Sequence, residues 1–434
     1  MRVLLSVLVL FAWAVSPSVG EAVTLEEAVE AAKSRDGNLG IAKQQRVQAQ
    51  ANLSRMRFRL LPSVQASGSY TLNQYEIIMN PLEWFPEEYA DYFPDDFEPT
   101  VIQAKDYFSA SVRLEQAIFD ARTLPGLSAA KSNYQASEAD LNRVERLMKA
   151  QVAQMAYRTK AARDFAALSK RSLELAKVQL DLATARKDLG GAAKRDHLQA
   201  QLAVSRARRD LRAAQAAQAE AELAFSQLTG FERNVSLELD NRLELPGSLQ
   251  DAKVQALSLR QDLRASQARK DSTQAIYRAS KWAFLPSLNA SLVGSYTENT
   301  MFSEYPTSWM GMLNAQWALW DGGATRSQKA IDAANWRIAK HTSSMIRDQV
   351  QREVESSWLG LVRAKEAYGA VQLEVELAAE NLALSEAALP NGGASWVDVE
   401  QARLALQAAQ AAALREEVAL RLSEIALLVA VGLY

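Results

Sequence analysis

Asp120 and Asp321 stand at matching places in the chain, and a pair of carboxylates is the minimum apparatus for general acid and base chemistry. Each, however, comes just before a helical segment, where a carboxylate satisfies free N–H groups of the first turn, so both read as N-caps. His197 and His341 fall in different helical contexts, whereas a zinc centre draws three or four convergent ligands. Glu87, Glu88, Asp91, Asp95 and Asp96 crowd one segment without the spacing of an EF-hand. The chain has no cysteine, which removes disulfides, thiol catalysis and thiolate metal sites together. With no nucleophile elbow, phosphate loop or zinc-protease motif either, the expectation is a protein that is not an enzyme and holds no cofactor or metal.

The elements that carry these residues occur twice. Leu61-Pro62-Ser63-Val64-Gln65-Ala66-Ser67 returns as Leu285-Pro286-Ser287-Leu288-Asn289-Ala290-Ser291, and a Gly-Ser-Tyr-Thr follows in both copies, at Gly68 to Thr71 and Gly294 to Thr297. Leu25, Ala28, Leu39, Ala51 and Pro62 precede Leu249, Ala252, Leu263, Ala275 and Pro286 by one constant interval. Asp120, Gly190, Gly191, Asp196 and Gly230 correspond in turn to Asp321, Gly392, Gly393, Asp398 and Gly432. A duplication of this length is one architectural unit in two copies. The copies differ chiefly by extra residues in the first, between Tyr70 and Asp106, and insertions of this kind collect in exposed loops.

Residues 1–20 begin with Met1-Arg2, continue through an apolar run from Val3 to Val15 and end in small residues at Ser18 and Gly20, the pattern of a secretory signal peptide. The net charge of -2 offers no basic footprint for nucleic acid. No other apolar stretch reaches the length of a helical span, so an exported chain of this kind is periplasmic, secreted or part of a barrel.

Thr24 and Glu27 form the capping box of a short helix, and a longer one runs to about Leu60, where Pro62 stops it. From Val64 the hydrophobic period changes to two. Val64, Ala66, Gly68, Tyr70 and Leu72 then oppose Gln65, Ser67, Ser69, Thr71 and Asn73. Alternation recurs at Phe108, Ala110, Val112 and Leu114, at Leu288, Ala290, Leu292, Gly294 and Tyr296, and at Trp309, Gly311, Leu313, Ala315 and Trp317. Strands are therefore expected at about 63–73, 107–118, 287–298 and 308–320, each near the roughly 9 to 11 residues that cross a bilayer as a tilted strand. Phe58 and Trp282, with Arg55, Arg57, Arg59, Arg278 and Lys281 around them, suit interfacial anchors.

Helical periodicity resumes after each strand pair. Long helical hairpins are expected at about 125–229 and 324–431, whose first arms would reach on the order of 100 Å at about 1.5 Å per residue. Ala161, Leu168, Leu175, Leu182 and Leu189 recur every seventh residue, and Leu377 and Leu384 repeat two of them in the second copy, the mark of a coiled coil. The first repeat thus covers 21–248, with a short strand and turn in 231–248 between the copies, and the second covers 249–434.

Four strands cannot close a ring, since the smallest outer-membrane barrels need about eight, and an open edge in lipid leaves backbone groups unpaired at several kcal/mol each. If the strands cross a membrane, the protein is an oligomer. The alternative that the hairpins alone allow is a periplasmic coiled-coil adaptor or scaffold without a pore, which leaves the strands unaccounted for.

With the Leu-Pro steps at Pro62 and Pro286, Phe119-Asp120-Ala121-Arg122 and Trp320-Asp321-Gly322-Gly323 at the strand exits, and a glycine six residues before Asp196 and Asp398, the order of parts resembles the TolC-like outer-membrane efflux family over essentially the whole mature chain. The resemblance implies a mainly α protomer with a transmembrane β part, three copies of which share a twelve-stranded β-barrel and a periplasmic α-barrel. It implies a passive exit duct in the outer membrane of a Gram-negative-type bacterium. Such a duct is served by a periplasmic adaptor and an inner-membrane transporter, in a tripartite efflux pump or a type I secretion system. It further implies that Asp398 lies where an acidic ring narrows the periplasmic end, with Gln401 at the second acidic position; capping of the returning helix is the other reading of Asp398, and the preferred one for Asp196. Adaptor docking would fall on the hairpin tips, Leu189, Gly190 and Gly191 in one copy and Asn391, Gly392 and Gly393 in the other.

Overall fold

The computed structural model describes residues 22–80, 100–188, 194–233, 235–239, 244–301, 303 and 305–434. The expected signal peptide, the insertion between Asn80 and Thr100 and the tip residues Leu189, Gly190 and Gly191 lie outside them. The described elements run β1 (Val23–Thr24), α1 (Leu25–Arg35), α2 (Gly37–Phe58), β2 (Ser63–Leu72), β3 (Ile77–Met79), β4 (Thr100–Gln103), β5 (Asp106–Phe119), α3 (Thr123–Asp188), α4 (Lys194–Thr229) and β6 (Leu237–Glu238). The second half follows as α5 (Leu249–Leu259), α6 (Gln261–Lys281), β7 (Ser287–Thr297), β8 (Thr307–Gln316), α7 (Ala324–Ala388) and α8 (Trp396–Val431). The chain divides into two compact units, one of 45–138 and 265–344 that holds the large sheet, the other of 1–44, 139–264 and 345–434.

In the first of these units, β2, β5, β7 and β8 form an antiparallel sheet in that order, with β2 and β8 as its free edges among the described residues. The register aligns the alternation of all four strands. Val64 faces Leu114, Leu114 faces Leu292 and Leu292 faces Gly311, so the alternating apolar residues of the four strands share one side, with Val293, Met310 and Met312 on the other. That side is exposed in the protomer: Val64, Tyr70, Leu72, Trp309 and Leu313 all keep more than 60% of their surface. Contiguous apolar surface of this extent marks a face made for another apolar phase or partner. Aromatic residues Tyr70, Phe108, Tyr296 and Trp309 gather toward the loop end, and Phe58, Trp282, Phe284, Trp317 and Trp320 toward the helix end. Two girdles about an apolar band are the pattern of a membrane-spanning β-structure. No described helix is long and apolar enough to cross a membrane.

The second unit is helical and its two halves are built alike. Thr24 caps α1 in a complete capping box, and α1 ends against the close of α4; α5 ends in the same way against the close of α8. At both closures the glycine is left-handed, with φ of 84° at Gly230 and at Gly432. That left-handed backbone is what calls for glycine at both places. Arg146 on α3 donates to the carbonyls of Leu259 and Gly432, joining the first half to the second. Arg260 pairs with Asp262 at 2.5 Å and Glu353 at 2.8 Å beside it. Ala252, Ala256, Val350, Val354, Leu361, Leu420 and Leu427 form one core; Ala28, Ala32, Leu39, Met148, Val152 and Phe225 form its counterpart.

Three details depart from expectation. The α3–α4 seam is Leu173, Ala176 and Val204 with Leu180 packed against them. The heptad through Leu175 and Leu182 therefore does not face the partner arm; both residues are 47% exposed, and Leu377 and Leu384 are 58% and 64% exposed. Leu173, Ala176 and Leu180, three and four residues apart, set the seam on a different face of α3 from that heptad. β6 pairs in parallel with β1, Val23 opposite Leu237, a contact between distant segments that no local pattern announces. β8 ends at Gln316, short of Trp320, because the residues from Trp317 turn into the cap of α7.

Glu222 and Glu424 occupy corresponding places on the returning helices, and each is buried with an arginine, Arg163 at 2.7 Å and Arg421 at 2.8 Å. Arg163 also donates to the carbonyls of Val235 and Arg233, tying the segment after α4 to the hairpin. A buried charge that loses its partner is costly. Arg163→Ala is expected to destabilise the helical unit by about 3 kcal/mol, read as a lower thermal midpoint in detergent. Adding Glu222→Leu is expected to recover part of that loss, because no charge is then stranded.

Candidate functional site

The helix-strand junctions are built the same way twice. α2 closes with N–H groups of Leu60 and Leu61 on the carbonyls of Arg57 and Phe58, and α6 with Trp282 and Leu285 on Ala279 and Trp282. Pro62 and Pro286 follow, and each strand begins at the next residue. Proline has no N–H to continue the helix and biases the residue before it to extended backbone. At the other end, Asp321 accepts from the N–H groups of Gly323 at 3.0 Å and Thr325 at 2.8 Å, and from the Thr325 hydroxyl. The Thr325 hydroxyl and N–H hold its carboxyl below the usual range. Asp120 accepts from the N–H and the Nε of Arg122 at 3.0 and 3.1 Å. Burial pushes its carboxyl up, and the Arg122 bonds outweigh it to leave the group below its usual range. Both carboxylates are engaged in holding a turn.

The tip of the second hairpin is described. α7 gives way to a single 3-10 turn, Leu389–Asn391, and Gly392 adopts the left-handed conformation at φ 71°. Gly393 N–H returns to Ala388 O at 3.0 Å. Ser395 then caps α8: its hydroxyl accepts from Asp398 N–H at 3.2 Å, and its own N–H donates to Asp398 Oδ2 at 2.7 Å. That reciprocal pair is a capping box with Asp at the third position. Hydrogen bonds from Ser395 hold the Asp398 carboxyl below its usual range, so it is an anion at neutral pH. Asp398 and Gln401, three residues apart, lie on the exposed side of α8, while Val399 and Ala402 are buried. Asp196 lies in the first turn of α4.

Two residues beyond Asp398 begins a cluster that sequence reasoning missed. Arg403 pairs with Glu386 of α7 at 2.6 Å and lies 3.7 Å from Glu400 Oε2. Glu400 Oε2 is buried and accepts no hydrogen bond among the described residues. Burial pushes the Glu400 carboxyl above its usual range, with Arg403 pulling the other way. Charges seventeen residues apart in sequence meet only because the hairpin folds back, and no spacing rule finds them.

Elsewhere, His197 Nδ1 is 3.3 Å from the Thr184 hydroxyl, and His341 is exposed on α7. Among the described residues no group of three or more His, Asp or Glu could hold a metal ion.

The comparisons with known proteins agree with this arrangement. No curated protein matches the chain by sequence. By structure it is similar to VceC, an outer membrane protein of Vibrio cholerae, at TM-score 0.76 and 17% identity over 94% of this chain and 96% of that one. It is also similar to the CmeC outer membrane channel of Campylobacter jejuni, at TM-score 0.76 and 17% identity over 94% and 85%. The open state of the MtrE outer membrane channel of Neisseria gonorrhoeae matches at TM-score 0.74 and 17% identity over 94% and 88%. Those likenesses concern the fold. The family model of the outer membrane efflux protein matches residues 28–231 and 253–433, nearly the whole described chain and both repeats. The chain belongs to the outer membrane efflux protein family.

Proposed function

We propose that the protein is the outer-membrane exit duct of a tripartite efflux pump or type I secretion system, working as a homotrimer. The observation that carries this reading is the four-stranded sheet with two free edges and one continuous apolar face. β2 and β8 run in opposite directions, so β8 of one copy can continue the antiparallel order onto β2 of the next, and three copies supply twelve strands. In hydrocarbon every backbone group must be paired, and closure of this kind is what pairs the edges. The apolar side then meets lipid and the side rich in serine, asparagine and glutamine lines a water-filled passage.

The duct carries no chemistry of its own and draws its driving force from an inner-membrane transporter through a periplasmic adaptor. Adaptor docking falls on the hairpin tips, Asn391, Gly392 and Gly393 in the second copy and Leu189, Gly190 and Gly191 in the first. At the periplasmic end three Asp398 carboxylates near the axis attract cations and hinder anions. Gln401 in place of a second acid keeps that preference modest.

The purified protein in planar bilayers is expected to give discrete conductance steps, and the native protein is expected in the outer-membrane fraction, released only by detergent. A soluble periplasmic pool without conductance would contradict the duct. Asp398→Ala is expected to lower the cation-over-anion permeability ratio toward one, measured by reversal potential; an unchanged ratio would leave Asp398 only its role in the capping box. Glu400 gives a pH dependence of definite sign. A carboxyl whose pKa is higher in the folded hairpin than in the unfolded chain weakens folding as pH rises through that interval, and the penalty then stays constant. Glu400→Gln is therefore expected to slow hydrogen exchange at the α7–α8 end at neutral pH and to lose that advantage under acid conditions.

A further inference from the structure

The polar side of the sheet is not uniform. Ser67, Ser111, Ser295 and Ser308 stand side by side across all four strands, linked in part by hydroxyl contacts of 2.8 Å between Ser67 and Ser111 and 2.7 Å between Ser295 and Ser308. One row nearer the helices the partners are Gln65, Arg113, Val293 and Met310, and the next row is Ser63, Glu115, Ser291 and Met312. Between the serine row and the helices, side chains larger than alanine break this polarity at Val293, Met310 and Met312, which are contiguous: Val293 pairs with Met310, and Met312 is the next residue on that side of β8. Met310 and Met312 are 53% and 44% exposed. Nothing in the packing of the sheet requires them, because serine, asparagine and glutamine fill equivalent positions above and below.

We propose that Val293, Met310 and Met312 form a contact site in the wall of the passage for small amphiphilic organic molecules that carry no net charge. This rests on the duct reading, which makes the polar side of the sheet the inner one. Methionine is flexible and polarizable and serves apolar surfaces that must accept many shapes. Beside the strip lie Arg113, next to Val293, and Glu115, one serine away from Met312. They stand two apart on one strand, so their charges balance, and a ligand's polar end finds a cation, an anion and serine hydroxyls while its apolar body covers the thioethers. A site of that composition holds a zwitterionic or neutral amphiphile, gives no purchase to an inorganic anion or cation, and is too small a fraction of the wall to bind an extended polar polypeptide.

The experiment is single-channel recording with the full-length protein, comparing octyl dimethylglycine with trimethylglycine, which has the same zwitterionic head and no tail. The tailed probe is expected to interrupt the current of the wild-type protein and the tailless one to leave it steady. Met310→Ser with Met312→Ser is expected to shorten the interruptions by about fivefold, the scale of losing partial burial of two apolar side chains, at unchanged open conductance. Met310→Leu with Met312→Leu keeps the apolar surface and is expected to keep the interruptions, which also guards against a folding defect. Equal dwell times in the wild-type and serine proteins would overturn the proposal while leaving the duct intact. So would block by silver ion that both double variants abolish, since the strip would then be a soft-cation site. A wild-type protein that conducts no current would overturn the duct reading itself, and the proposal with it.

Discussion

Everything in this chain answers to the unpaired edges of a four-stranded sheet. β2 and β8 each present a row of N–H and C=O groups with no strand partner among the described residues of the protomer, next to an apolar face as wide as the sheet. In water an edge of that kind invites aggregation, and in hydrocarbon each unpaired group costs several kcal/mol. Both difficulties vanish if each edge is continued by another copy. Oligomerisation is then a condition of folding in the membrane and not an addition to a finished protomer.

The helical unit carries a related imbalance. The seam between α3 and α4 is lined with Leu173, Ala176 and Val204. Leu175, Leu182, Leu377 and Leu384 remain uncovered, at corresponding positions of the two copies. Charges are treated in the opposite way. Glu222 and Glu424 are sunk into the interior with their arginines, Arg163 from the facing arm and Arg421 from the same helix, where a pair is costly to break. Small residues and buried pairs thus join the cores in holding the helical unit together, while Leu175, Leu182, Leu377 and Leu384 are left for contacts outside it.

Much of this was legible in the residues. Alternation from Val64, from Phe108, from Leu288 and from Trp309 marks the four strands because a side chain on a strand must commit to one side, and a side buried in lipid leaves no freedom of register. Pro62 and Pro286 announce the junctions through backbone chemistry alone. The heptad of leucines in α3 misled about the hairpin seam, since a helix with apolar residues on more than one side does not say which side its nearest neighbour takes. β1 with β6, Arg163 with Glu222, and Arg403 with Glu386 were invisible for another reason: each joins residues far apart in sequence, and their meeting is a product of the fold. At the tip, Asp398 was legible as a turn element repeated in both copies, in both its readings, and the capping box with Ser395 makes those readings compatible, because a carboxylate with one oxygen engaged still presents its charge to water.

Ring closure between copies can be tested without background, because the native chain has no cysteine. Single pairs of cysteines, one moved along β2 and the other along β8, would be oxidised in native membranes and resolved on denaturing gels. If the sheets complete one another, pairs in one register yield covalent two-chain and three-chain species up to a closed trimer, and pairs shifted by one residue do not, since their side chains point to opposite sides. Cross-links confined within single chains, or none in any register, would contradict the shared barrel.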